Sequence, residues 1–153
     1  YIKNIDEKEL FELLKNYCQQ FKKKIDKSKE KIILQSMNFL KNKAKTLEDI
    51  YKNAQYILID KIEISSEDLK LLDSTSKKII SDFLHIYEKT INIDKMSIEK
   101  IVNELINNHK TNFKGVGQPL RIALTGSRFG PGIYNIILSL DKNETIKRLK
   151  MFK

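Results

Sequence analysis

Arginine is scarce in this chain of 153 residues, and two of its three copies sit in one short segment. The run from Gln118 to Tyr134 reads Gln-Pro-Leu-Arg-Ile-Ala-Leu-Thr-Gly-Ser-Arg-Phe-Gly-Pro-Gly-Ile-Tyr and holds Arg121 and Arg128. Pro119 suits the start of a helix, and its spacing to Gly126 predicts a helix of about two turns. Gly126 suits its left-handed end. Gly130-Pro131-Gly132 then predicts a tight entry to a second helix, with Pro131 in its first turn. Two guanidinium groups beside such an elbow could hold an anion or an unstacked base. A second feature is a basic run. From position 22 to 45, nine lysines face Asp26 and Glu30 alone. Lysine there would attract phosphate without reading sequence.

Other chemistry is poorly served. His85 and His109 stand on separate predicted helices, outside any HExxH or Ser/His/Asp pattern. His85 reads as a core-edge residue, and His109 as a cation at a helix C-terminus. Cys18 reads as a small buried or half-buried side chain. A single cysteine excludes an intrachain disulfide framework and a cysteine-based zinc site. Gly115-Val116-Gly117 lacks both the spacing and the preceding strand of a phosphate loop.

The elements that must carry these residues are helices. All five glycines and both prolines lie between 115 and 132, so 114 residues pass without either. Strand-and-turn folds need that punctuation. Helices joined by Asn, Asp, Ser or Lys turns do not. Leu10, Leu13, Leu14 and Tyr17 recur at helical spacing behind Asp6, a cap candidate. Ile33, Met37 and Leu40 mark a second helix. Thr46-Leu47-Glu48-Asp49 resembles a capping box. Positions 59–64 alternate and read as an extended connection between two lobes, and Ser65 restarts a helix. Ile79, Ile80, Phe83, Leu84 and Tyr87 form the clearest stripe. Ser97 is expected to cap the next helix, and Asn143 the last. The fold expected is all-α, with two small helical lobes in tandem, 1–64 and 65–153.

Composition sets the wider limits. Hydrophobic residues at 41% can build a core. A net charge of +9 points to a polyanion, nucleic acid before membrane. Abundant Lys, Ile and Asn match AT-rich coding, which inflates lysine by itself. No apolar run nears the roughly 18 to 20 residues of a membrane span. The chain starts at Tyr1 without a signal peptide, reads as one entered midway, and leaves the cytoplasm as the default.

The segment 118–134 is similar to the C-terminus of bacterial glutamyl-tRNA synthetases. It matches Q-P-L-R-x-A-L-T-G-S-x-x-x-P-G-[LI]-[FY], and Glu144-Thr145-Ile146-Lys147-Arg148-Leu149, one residue shorter between Glu and Ile, resembles the family's closing E-x-x-[IL]-x-R-[LI]. Lys43-Ala44-Lys45-Thr46-Leu47 and the start Tyr1-Ile2-Lys3 extend the likeness more loosely over the whole chain. The resemblance implies an anticodon-binding region without the Rossmann catalytic domain, which would lie N-terminal in the full chain. It implies that the intact enzyme ligates glutamate to tRNA-Glu with ATP and magnesium and that this part holds no cofactor; nothing in the sequence suggests a dimer interface, so a monomer is expected. The matching RNA-binding positions are Gln118, Arg121, Pro131 and Ile133, with Lys43 toward the third anticodon base. Family members that exclude tRNA-Gln can carry Arg where Lys43 stands. Arg forks onto a base edge where Lys is a point charge, so tRNA-Gln is kept as a second partner. Gly130 replaces a Thr of some members, leaving backbone for that contact. Lys95-Met96-Ser97-Ile98 resembles half of the KMSKS signature of class I synthetases, and a capping serine explains it better. The alternatives are a basic helical module binding RNA without sequence preference, or a helical protein-interaction domain.

Overall fold

The computed structural model describes residues 2–42, 44–59 and 61–152, with Lys3 as backbone only. Among the described residues there is no strand, in line with the all-α expectation. The chain divides into two compact units, Tyr1–Asp60 and Lys61–Lys153.

The first unit is built from α1 (Glu7–Gln20), α2 (Lys27–Leu40), α3 (Leu47–Asn53) and α4 (Gln55–Leu58). Asp6 starts α1 by accepting from the Lys8 amide, and Asp26 does the same for α2 through Ser28. The Thr46/Asp49 capping box forms reciprocally at α3. α1 packs on α2 and α3, and α2 on α4; Leu10 and Leu14 of α1, Ile33, Met37 and Leu40 of α2, Ile50 of α3 and Ile57 of α4 are all fully buried. Leu13, on the edge of the predicted stripe, is 39% exposed. Lys22 ends α1 in the left-handed region (φ 57°), where the Lys23 amide donates to the Cys18 carbonyl at 2.8 Å. That is the helix-ending arrangement usually given to glycine. Lys110 (φ 52°) repeats it after the helix Lys95–Asn108, with the Thr111 amide donating to the Ile106 carbonyl. Two helices of the glycine-free stretch thus end on a left-handed lysine.

The second unit contains α5 (Ser66–Leu69), α6 (Ser74–Lys89), α7 (Lys95–Asn108), α8 (Phe113–Thr125), α9 (Ile133–Ser139) and α10 (Lys142–Lys150). α6, α7, α8 and α10 pack around Ile80, Phe83, Tyr87, Val102, Leu105, Val116 and Leu120. The rings of Phe83 and Tyr87 stack at 5.4 Å.

Four expectations at helix starts are corrected. α7 begins behind Asp94, with Ser97 as the reciprocal partner in a capping box. α10 begins behind Asp141, not Asn143. Each time an aspartate two or three residues upstream offers the stronger anionic acceptor. α8 begins behind Asn112, whose side chain accepts from the Gly115 amide at 2.9 Å, so Pro119 lies inside the helix. The proline removes one amide donor from α8, a cost that tertiary burial of Pro119 offsets. Pro131 precedes the cap residue Gly132 and is not in the first turn of α9. His85 is also exposed, and not at the core edge.

Candidate nucleic-acid interface

α8 presents Phe113, Gly117 and Arg121 at four-residue spacing, with Lys114 and Gln118 alongside. Phe113 and Arg121 lie about 12 Å apart along the axis. Gly126 ends the helix at φ +86°, and any Cβ there would collide with the carbonyl oxygen of Glu63. The chain then turns through a ladder of short hydrogen bonds. The Thr125 hydroxyl donates to the Arg121 carbonyl at 2.8 Å, and the Ser127 amide donates to Thr125 Oγ1 at 3.2 Å. The Phe129 amide donates to Ser127 Oγ at 3.1 Å. Arg128 Nε reaches Asp68 at 3.4 Å and its Nη2 reaches Glu67 at 3.8 Å, so α5 serves as an anchor for the loop.

The result is a groove of about 490 Å³ lined by Phe113, Lys114, Gly117, Gln118, Arg121, Arg128 and Phe129. Three of those side chains are cationic and none is acidic. Arg121 Nη1 donates to the Arg128 carbonyl at 2.9 Å. Its Nε is buried without a hydrogen-bond partner. Burial also pulls the guanidinium below its usual pKa, the sign of a poorly solvated charge. An arginine has five donors, so most of this fork is unused within the protein.

Two of the sequence-predicted residues, Gln118 and Arg121, share the groove. Pro131 is half-buried in the loop that follows and is not part of the lining. Ile133 is fully buried, close beneath Gly117, so its side chain offers no face to a splayed base. That corrects the role expected from the resemblance: Ile133 supports the groove from the core. Lys43 lies outside the described residues. Of the basic run, Lys41 is structural, donating to the Ile5 carbonyl and pairing with Glu7 at 3.2 Å. Lys23 lies over the Tyr51 ring at 5.0 Å. In the first unit, a cleft of about 620 Å³ runs past Lys15, Lys23 and Lys24, with Asp26 and Glu30 on its wall.

Phe113, Lys114 and Phe129 were missed by sequence reasoning. The signal for the first two was Asn112: a helix begun there brings 113 and 114 onto the face of 117, 118 and 121. Cys18 is buried, and burial pushes its thiol pKa up. Among the described residues, no group of three His, Cys, Asp or Glu could hold a metal, and no helix is long and apolar enough to cross a membrane.

Comparison with known proteins agrees with this fold. Residues 9–153 match the family described as "Anticodon binding domain". The glutamate–tRNA ligase of Pelagibacter ubique is 52% identical over 149 residues, covering 97% of this chain and 32% of the relative. Glutamate–tRNA ligase 2 of Zymomonas mobilis is 28% identical over 155 residues, covering 97% and 31%. The chain thus spans about a third of the length of the curated relatives it matches. A solved glutamate tRNA ligase from Elizabethkingia meningosepticum, in complex with its amino acid, superposes with a TM-score of 0.81. It is 16% identical and covers 99% of this chain and 30% of that one, a likeness of fold. With a helical fold, a cationic groove and a profile match over nearly its whole length, the chain belongs to the anticodon-binding domain family.

Proposed function

We propose that this chain recognises the anticodon loop of tRNA-Glu as part of a glutamate–tRNA ligase. The catalytic part of that enzyme, with ATP and magnesium, would join glutamate to the tRNA in the cytoplasm, the enzyme acting as a monomer. The observation that carries the reading is Arg121: a half-buried guanidinium with unused donors in a groove lined by cations and aromatic rings. Sequence-specific RNA recognition targets unstacked loop bases through such groups. Gln118 supplies a donor and an acceptor beside it. Pro131 shapes the loop, Ile133 supports it, and Lys43 is the candidate contact in the first unit. The lysines between 22 and 45 other than Lys41, which is paired with Glu7, add attraction to phosphate. Since Lys43 lacks an arginine's fork, tRNA-Gln is the second substrate to try.

The test is binding of the chain to tRNA-Glu, tRNA-Gln and an unrelated tRNA at roughly physiological salt, where distant charges are screened. Preference for tRNA-Glu, abolished in Arg121→Ala, is the expected result. Equal binding to all three, unmoved by the variant, would leave a basic helical module without sequence preference.

A further inference from the structure

Phe129 is an exposed large apolar side chain, with 70% of its surface open, on the rim of the cationic groove. A single exposed aromatic is ordinary. This one is held in place. The Arg128 guanidinium carbon lies 4.9 Å from its ring centroid, covering one face. Arg128 is itself fixed by Asp68, a carboxylate whose residue is only 7% exposed, and by Glu67. The Phe129 amide is tied to Ser127. A ring with one face occupied by an anchored cation and the rest open is prepared for a planar partner. The groove beside it carries Lys114 and Arg121 and no carboxylate, which favours a phosphate-linked ring over an aromatic of a protein.

We propose that Phe129 is a stacking platform for one unstacked base of the bound RNA loop, with Arg128 as the residue that positions it. This rests on the anticodon-loop reading and adds a residue to it that the shared sequence pattern leaves unspecified. Base–aromatic stacking is worth about 1–3 kcal/mol per base, so its loss weakens binding roughly 5- to 150-fold.

The experiment uses anticodon stem-loops of tRNA-Glu carrying 2-aminopurine at one loop position at a time. They are titrated with the chain, Phe129→Leu, Phe129→Tyr and Arg121→Ala. Leucine keeps the apolar bulk and removes the π face; tyrosine keeps the face. Expected is weakened binding for Phe129→Leu, near-unchanged binding for Phe129→Tyr, and one labelled position whose quenching at saturation disappears in the leucine variant and persists in the tyrosine variant. Phe129→Leu binding as tightly as the parent chain, while Arg121→Ala loses preference, would overturn the platform and leave the anticodon reading standing. Equal losses in both Phe129 variants would also overturn it, assigning the effect to loop shape. No preference of the parent chain for this loop overturns both.

Discussion

Arg121 and Arg128 are joined through backbone: Nη1 of Arg121 donates at 2.9 Å to the main-chain carbonyl of Arg128. One end of the guanidinium is thereby committed to the loop that follows α8, while Nε is left without a partner. The bond does two things at once. It fixes the direction of the fork, and it ties the loop carrying Phe129 to the last turns of α8. Arg128 spends its own side chain on Asp68 and Glu67. The two arginines, similar in sequence context, therefore have different work.

Arg121→Lys separates geometry from charge. Lysine keeps the cation but loses the planar fork and the fixed bond to Arg128. Binding to tRNA-Glu should fall by about 1–3 kcal/mol, the range for a bidentate base contact. The slope of log affinity against log salt should stay as in the parent chain, because that slope counts neutralised phosphates. A lowered slope with little loss at low salt would show that Arg121 is a phosphate contact and not a reader of bases.

The fold was more legible than the site, and the reason is physical. Helical stripes such as Ile79, Ile80, Phe83, Leu84 and Tyr87 repeat every turn, so one misjudged residue hardly matters. Helix starts rest on single residues that compete. Asp94 and Asp141 outcompete Ser97 and Asn143 from three and two positions upstream. Asn112 captures the start of α8 from Pro119 and adds two turns to it. The groove depends on those added turns, so Phe113 and Lys114 stayed invisible while Gln118 and Arg121 were found. Ile133 shows the opposite failure. A sequence match transfers a position but not its exposure, and here the side chain is fully buried.

Left-handed helix ends give a paired prediction of opposite sign. Gly126→Ala puts a Cβ at φ +86° and into the Glu63 carbonyl. The backbone term alone is about 1–2 kcal/mol, and the collision adds to it. Lys110 holds φ 52° with an ordinary side chain. Lys110→Gly relieves that strain, and after the entropy glycine loses on folding it should stabilise by about 0.5–1 kcal/mol. Urea melts of both variants check this. Destabilisation by Lys110→Gly would mean that the lysine side chain itself holds the turn.

Asp49 gives a pH dependence. Its carboxylate accepts from the Lys45 amide at 2.9 Å and the Thr46 amide at 3.2 Å, and these bonds, the Lys45 one foremost, hold its pKa below the usual carboxylate value. A depressed value means that the folded chain favours the ionised form. Its stabilisation is complete above the unfolded pKa of about 3.9 and is lost as pH falls below that, through the folded value. Asp49→Asn keeps an acceptor but cannot titrate. The stability gap between parent and variant, measured by urea melts from about pH 6 down to 2, should shrink below about pH 4. A constant gap would show that the carboxylate charge contributes nothing there.

Arg148 links stability to the groove from the other side. Its guanidinium is buried, donating through Nη1 to the Leu124 carbonyl at 2.7 Å and through Nε to Glu144 at 2.9 Å. Leu124 lies in the last turn of α8, where carbonyls lack helical partners and the dipole favours a cation. In this chain Glu144 and Arg148, four residues apart on one helix face, together fasten α10 to the end of α8. Arg148→Met removes the cation and strands Glu144, which should cost about 3–5 kcal/mol. Glu144→Gln keeps an acceptor and should cost about 1 kcal/mol. Leu124 is two residues from Gly126, so Arg148→Met should also loosen the loop and weaken tRNA binding. The signature is a loss of binding that tracks the loss of melting temperature, and that is restored on cooling. Arg121→Lys should lose binding with a far smaller change in melting temperature. If Arg148→Met lowered stability without any effect on tRNA, the end of α8 would be a structural joint independent of the groove.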